Sequence, residues 1–380
     1  MRILHFSDTH LGYSDLDKVG SNGVNLREQD FYDAFSSVID QALAIKPDLI
    51  IHSGDFFHRP SPFNRPMIFA LEQLNRLSAA NIPIVIIAGN HETPKTIYTS
   101  PILRAFQTID GVHAIFGQEY QTITFGDLVI HGLPHINDEK VLRIEMDKIH
   151  PVKDQMNIIL LHTSIGKDYI MEEFGESLYP PERMELLNQF DYVALGHWHN
   201  YQKVKKLKAG WYCGSTERMS DTEAGKEKGF CLLELEKGKD VVPEFIPIKT
   251  RNWYRIDIKK CQDKTVDELE EEIKKQAEDL DLKDAIVSIY FQQILATQSI
   301  ALSQRKIKEL LAGSIHVHIK RNFSDVGFAG DVLNQPSKST DVLLSEFIIA
   351  NVEGTEKSKA LAEKAKAYFD LFESGEYKNR

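Results

Sequence analysis

Five short apolar runs in the first 200 residues each end directly in a loop that carries His, Asp or Asn, and this repeated placement constrains the chain more than any other feature. The runs are Ile3 to Phe6, Leu49 to His52, Ile84 to Ala88, Ile158 to Leu161 and Tyr192 to Leu195. Short apolar stretches bounded by turn-forming residues read as buried strands. Between the first two, Phe31, Phe35, Val38, Ala42 and Leu43 recur every three to four residues, which predicts an amphipathic helix stopped by Pro47. A second helix is expected from about Pro66 to Ala80, with Met67, Ile68, Leu71, Leu74 and Leu77 as its stripe and Phe69 and Ala70 widening it. Strands alternating with helices predict a layered α/β sandwich of mixed sheets flanked by helices. Ligands collect at the carboxyl ends of strands in such folds, so the five loops are expected to converge on one place.

The residue types in those loops specify a chemistry. They read Ser7-Asp8-Thr9-His10, Ser53-Gly54-Asp55-Phe56-Phe57-His58, Gly89-Asn90-His91-Glu92, His162-Thr163-Ser164 and Gly196-His197-Trp198-His199. Imidazole, carboxylate and one amide without a thiolate suit a borderline-to-hard dication such as manganese, iron, nickel or zinc. Seven candidate ligands, Asp8, His10, Asp55, Asn90, His162, His197 and His199, are too many for one tetrahedral ion and suit two ions sharing a carboxylate. Glycines before Asp55, Asn90 and His197 permit the close turns this requires. A two-ion centre of this kind points to phosphoester hydrolysis without a covalent enzyme intermediate.

The rest of the chain bounds the architecture. At 380 residues it exceeds one ordinary domain. The strand–helix alternation runs over residues 1–247. After Pro247 come a strand-like WYRIDI at 253–258, an acidic helical segment, a strand AIVSIYF at 285–291, a short helix and a third strand at 315–319. Residues 248–330 therefore read as a smaller α/β capping domain, 331–340 as a linker rich in Gly, Asn, Pro and Ser, and 341–380 as a helical tail. The net charge of −11 speaks against a phosphate-bearing polymer as partner, but Asp263 to Asp284 holds ten acidic residues against four Lys. That segment alone contributes −6, and bound dications reverse the sign at the site itself. No run spans a bilayer and no signal peptide is visible, so a cytoplasmic protein without membrane contact is expected. Cys213, Cys231 and Cys261 lack a CxxC spacing and read as buried apolar residues.

Taken together, SDTHLG at 7–12, GDFFH at 54–58, GNHE at 89–92, the GHWH at 196–199 and YCGSTER at 212–218 resemble the calcineurin-like metallophosphoesterase superfamily, and within it the meiotic recombination eleven (SbcD) nucleases. The GDxFH form sets those nucleases apart from the superfamily's protein phosphatases. The resemblance covers nearly the whole chain. It implies one metal on Asp8, His10, Asp55 and His199, and a second on Asp55, Asn90, His162 and His197, with Asp55 as the bridge. His58 and His91 match two non-ligand histidines that contact the scissile phosphate and serve as the catalytic residues. It further implies two manganese ions, although other divalent metals remain open, and DNA as the substrate of a 3′ to 5′ exonuclease and endonuclease in double-strand-break repair. A homodimer and a zinc-hook ABC-type ATPase of the Rad-fifty (SbcC) family, bound through the C-terminal helices, are the implied partners.

Other readings of the same residues stay open. The site would equally serve a phosphatase or a phosphodiesterase on a non-DNA ester, or survive in a scaffold that bridges DNA and an ATPase. His5 and His52 lie inside apolar strands and read as core imidazoles. His316 and His318 share a strand face by simple alternation. Arg59 and Arg218, and with less reason Lys203, Lys205, Lys206 and Lys208, are candidates for backbone phosphate contact. The broad stripe around Phe69 fits either core packing or a homodimer face.

Overall fold

The computed structural model describes residues 1–96, 98–169, 178–324 and 359–367. The first part of the chain forms two six-stranded sheets. Strands β1 (Arg2–Phe6), β2 (Leu49–His52), β3 (Ile84–Ile87) and β4 (Val112–Ile115) are joined by helices α1 (Leu26–Ile45) and α2 (Asn64–Ala79). Then follow β5 (Gln121–Phe125), β6 (Leu128–Leu133), α3 (Glu139–Asp147), β7 (Met156–His162), a short α4 (Met184–Leu187), β8 (Tyr192–Gly196), β9 (Gln202–Lys203), β10 (Gly210–Tyr212), β11 (Gly229–Glu234) and β12 (Glu244–Pro247). One sheet has the order β12-β11-β1-β2-β3-β4 and the other β5-β6-β7-β8-β10-β9.

The side-chain alternation of each strand explains the layering. In β2, Leu49 and Ile51 join Ile3, Val85 and Ile87 on a face that packs against Ile130, Ile158, Leu160 and Ala194 of the other sheet. The intervening Ile50, with Leu4, Phe6, Ile84 and Ile86, packs on Phe35, Val38 and Leu74 of α1 and α2. The second sheet buries Ile159, Leu161, Val193 and Leu195 on its outer side with Met146 of α3 and Leu187 of α4. Both sheets are thus covered on both faces, and this is why their central strands read as continuous apolar runs rather than alternating ones. Helix α1 starts where the Asn25 side chain accepts from the Arg27 and Glu28 amides, and it ends at Lys46, which adopts φ 53° one residue before Pro47.

A third sheet is wholly parallel, β13 (Trp253–Ile258), β14 (Ile286–Ile294) and β15 (His316–Phe323), in that order. Helices α5 (Val266–Ala277), α6 (Ala296–Ala301) and α7 (Gln304–Leu310) connect and cover it. The acidic stretch forms α5, opened by a Thr265/Glu268 capping box, and buries only Leu269, Ile273 and Ala277. Strands β14 and β15 run several residues past their apolar stretches, because Gln292 pairs with Asn322 and Phe291 with Arg321 at the polar end, around an irregularity at Gln293.

The expected linker at 331–340 lies outside the described residues. So does the tail at 341–380 apart from the helical 359–367. Among the described residues no helix is long and apolar enough to cross a membrane. The three cysteines are buried and free.

Candidate metal centre

Strands β1, β2, β3, β7 and β8 deliver their loops to one end of the sandwich. The first two loops are braided: the Asp8 amide donates to the Gly54 carbonyl, His10 to Asp55 and Leu11 to Phe56, and His58 returns a bond to the Leu11 carbonyl. Asp8, His10, Asp55 and His197 all take positive φ, at 52°, 40°, 55° and 94°. Four non-glycine residues in so sparse a region mark stored backbone strain, held in place by the surrounding bonds. Gly89 matters for a different reason: a Cβ there would stand 2.2 Å from the Asp55 Oδ1.

The loops bring the expected ligand types together. Ligand atoms of Asp8, His10 and His199 all lie within 4.8 Å of one another, and so do those of Asp8, Asp55 and His162, and those of His10, His58 and His91. His10 Nε2 lies 3.2 Å from His199 Nε2 and 3.7 Å from Asp55 Oδ2. His162 Nε2 faces Asp55 Oδ2 at 3.1 Å and Asn90 Oδ1 at 3.0 Å. The His197 ring packs edge-on to that of His162, 5.4 Å between centroids, and its backbone amide donates to Asp8 Oδ1 at 3.0 Å. On the open side, the half-buried His91 ring lies tilted to that of His58, 5.0 Å between centroids, and edge-on to that of His10 at 4.7 Å. Its amide donates to Asp55 Oδ1 at 3.0 Å, and its Nδ1 donates to the His58 carbonyl at 3.0 Å, which turns Nε2 toward the site.

The imidazoles are oriented from behind. His162 Nδ1 donates to the Ser53 carbonyl at 2.9 Å, and His199 Nδ1 meets Glu223 Oε1 at 3.1 Å. Each leaves Nε2 aimed into the cluster, the usual device for presenting a histidine to a metal. Glu223 is itself buried with Lys228, whose ammonium also donates to the His199 carbonyl at 2.7 Å and to Ser215 Oγ at 2.8 Å. Glu92 Oε1 accepts from the Phe56 and Gly89 amides and ties the second loop to the third.

Electrostatics fit a cation. Burial alone would raise the Asp55 carboxyl, but His162, His91 and His10 outweigh it and hold the group well below the ordinary range. Burial pushes Asp8 up despite His162 and His199. His162 shows the balance most directly: burial works against its charge, yet Asp55 and Asp8 prevail and lift it to about 9. A proton on His162 thus occupies the meeting point of a carboxylate and an amide oxygen, a position that a dication fits equally well. His10 Nδ1 is buried without a hydrogen-bond partner, and two fully buried carboxylates in one cluster require compensating positive charge. The residues present therefore fit divalent metal binding, with nitrogen and oxygen donors only. Burial and the Asp55 charge push Glu92 up to about 8.

The other residues singled out in the sequence make contacts of their own. Arg218 turns away from the site: it is buried and donates to Thr250, to the Arg251 carbonyl and to the Lys226 carbonyl. Arg59 lies over the Phe63 ring at 5.0 Å, Lys203 over Trp211 at 5.4 Å, and Lys208 pairs with Asp240 at 2.9 Å. His5 bonds Tyr192 and Ser53, and His52 bonds Thr9, as core imidazoles do. His316 and His318 sit 4.4 Å apart, with His318 stacked on Trp253. Glu223, Lys228 and Glu92 were not singled out in the sequence. Only the neighbourhood of GNHE hinted at Glu92, and no local signal marks the other two.

Residues 1–201 match the calcineurin-like phosphoesterase family. A DNA double-strand break repair protein Mre11 from Sulfurisphaera tokodaii is 32% identical over 79% of this chain and 74% of that protein. Proteins of the same name from Methanococcus maripaludis and Methanocaldococcus jannaschii are 30% and 31% identical, over 71% and 68% of this chain and 74% and 70% of theirs. Among solved structures, a dimetal phosphatase from Danio rerio matches with a TM-score of 0.40 at 10% identity, over 64% of this chain and 98% of that one. On these matches the chain belongs to the calcineurin-like phosphoesterases and, within them, to the Mre11 family of phosphodiester hydrolases.

Proposed function

We propose that this chain is a manganese-dependent DNA nuclease, cutting 3′ to 5′ from ends and also internally, in double-strand-break repair. The observation that carries the reading is the chain of three ligand-atom sets linked through Asp8 and His10, with Asp55 in one of them and the two half-buried histidines His58 and His91 at the rim. One ion would be held by Asp8, His10, Asp55 and His199 and the other by Asp55, Asn90, His162 and His197. Bound there, divalent ions polarise the phosphodiester and supply a hydrolytic nucleophile from water at neutral pH. The protein's own part is orientation and proton handling. Asp55 is pinned by the His91 amide, and His162 and His199 are held by Ser53 and Glu223. In its protonated form His91 turns an Nε2–H toward the site, where it can donate to the departing oxygen. DNA as substrate is supported by the names of the relatives and by the rim histidine of GDFFH.

The same reading includes residues 248–330 as a cap, a homodimer and an ATPase partner. The homodimer is supported by exposed Phe63 and Ile68 at α2, which the core leaves uncovered. The ATPase partner rests on the sequence of the tail, where Leu343, Leu344, Phe347, Ile348, Ile349 and Val352 make one apolar segment and Leu361, Ala365, Tyr368, Leu371 and Phe372 a second stripe.

The test is hydrolysis of labelled single- and double-stranded DNA and of bis-p-nitrophenyl phosphate with manganese, magnesium, zinc or chelator. Manganese-dependent cleavage of DNA is expected. Cleavage of the small ester but never of DNA would replace the nuclease reading by a phosphodiesterase on another ester. His91→Ala is expected to keep the wild-type metal content and lose most turnover. Full activity in that variant would remove His91 from the mechanism.

A further inference from the structure

Glu223, which orients His199, sits midway between two anchors on the three-stranded sheet. Two residues before it, buried Asp221 accepts from the Tyr290 hydroxyl of β14 and pairs with the Lys320 ammonium of β15. Two residues after it, the Gly225 amide donates to the Trp253 carbonyl of β13 at 2.9 Å. Between these points the chain makes a single tight turn, Asp221–Glu223, closed by the Glu223 and Ala224 amides onto the Ser220 and Asp221 carbonyls. Tyr290 is itself clamped, with the Arg255 guanidinium 4.0 Å and the Lys320 ammonium 5.1 Å from its ring centroid. All three strands of the small sheet therefore grip one turn. The other side of that turn projects Glu223 toward His199 Nδ1 at 3.1 Å and Ser215 Oγ at 3.2 Å.

From this arrangement we infer that the Tyr290–Asp221–Lys320 contact is a latch through which the position of the three-stranded sheet sets the aim of His199, and with it the affinity of one of the two metal positions. A tight turn is stiff over two residues, so a displacement of Asp221 or Gly225 is passed to the Glu223 backbone. A carboxylate holding an imidazole by one hydrogen bond turns the ring with it. At the second metal position His162 is held differently, by the Ser53 carbonyl within the first sheet's own loop. The latch should therefore act on one position only. Tyr290 and Lys320 are positioning residues, acting through Glu223, and the inference rests on the two-metal reading of the site.

The experiment is calorimetric titration of the metal-free full chain with Mn2+, alongside thermal melting without metal. The Tyr290→Phe/Lys320→Met double variant keeps every residue of the metal cluster. Removing an outer partner of a metal ligand weakens affinity by roughly 10- to 100-fold, and the latch lies one contact further out, so a loss of about three- to tenfold at one of two sites is expected. Lys320→Arg, which keeps the ion pair, should bind both ions as the wild type does. Arg305→Ala, on an exposed part of α7, should also leave both affinities unchanged. Wild-type affinity at both sites in the double variant would overturn the latch. Equal weakening at both sites, in step with a lower melting temperature, would also overturn it by revealing a general loss of stability. A wild-type chain that takes up no Mn2+ at all would overturn the two-metal reading, and the latch with it.

Discussion

Replacing Gly89 by Ala tests whether the loops position Asp55 as closely as their contacts imply. An ideal Cβ at Gly89 would lie 2.2 Å from Asp55 Oδ1 and 2.4 Å from the Asp55 amide nitrogen, where real Cβ contacts stay beyond 3.0 Å. The carboxylate or its loop must therefore retreat by at least 0.8 Å. Gly89 does not have a positive φ, so Ala brings no backbone penalty there and the effect is one of close approach alone. Asp55 lies against His10, His91 and His162, and a misplacement of about 1 Å in a catalytic constellation costs roughly 10²-fold in turnover. Gly117 is the control, since it has φ 90° and open space around its Cβ position. Gly117→Ala should lower stability by about 1–2 kcal/mol through its backbone and leave turnover untouched. The assay is hydrolysis of bis-p-nitrophenyl phosphate at saturating Mn2+, with circular dichroism and melting to establish that both variants fold. Turnover in Gly89→Ala within threefold of wild type, or an equal loss in Gly117→Ala, would refute the reasoning.

Three further outcomes are expected. Glu223→Gln should weaken metal binding by about 10- to 100-fold by calorimetry. It should also destabilise the chain by about 3–5 kcal/mol in chemical denaturation, because the Lys228 ammonium is left buried without its anion, and adding Lys228→Met should restore much of that stability. His5 is lowered to about 3 by burial, so the unfolded chain takes up a proton first as pH falls. Its contribution to stability is complete above about pH 6.5 and declines toward pH 3, with a slope of at most about 1.4 kcal/mol per pH unit. His5→Asn should flatten that slope in denaturation curves between pH 6.5 and 4, though it lowers stability overall. Arg251 bonds both Asp30 oxygens, at 2.6 and 2.7 Å, and the Asp284 carbonyl at 2.8 Å, and so ties the small sheet to α1. Arg251→Ala should cost about 1–3 kcal/mol in thermal denaturation and speed proteolysis near residue 250.

Much of the site was legible in the sequence because it is written locally. A buried strand is an apolar run whatever it pairs with, and the residue after it is at the strand's carboxyl end. Asp8, His10, Asp55, Asn90, His162, His197 and His199 could therefore be collected without knowing the sheet order. The α1 stripe and the acidic helix α5 were legible in the same way, but the buried face of α2 is shifted from the expected stripe: Ala70, Gln73, Leu74 and Leu77 are buried, whereas Ile68 faces solvent. Strands with weaker patterns did not stand out: β5 holds only Ile123 and Phe125 as apolar residues, both partly exposed, and β9 and β10 hold two and three residues. What the pattern could not carry is anything set by distance through space. Glu223 and Lys228 are ordinary charged residues in a polar stretch until β11 brings Lys228 under the His199 carbonyl. Arg218 has the sequence neighbourhood of a phosphate contact, and only the packing of residues 250 and 251 against it turns it inward.

The five loops thus mark the limit of each source. Residue type and strand-end position, both local properties, pointed to the candidate donors and to hydrolytic chemistry. The tertiary structure decided which backbone atoms strain to hold that set: the left-handed conformations at Asp8, His10, Asp55 and His197, the contact that excludes a side chain at Gly89, and the turn gripped by the third sheet behind His199. The physical reason is that hydrophobic burial follows composition along the chain, whereas a hydrogen bond of 3 Å depends on two segments arriving together, and nothing in either segment alone specifies the other.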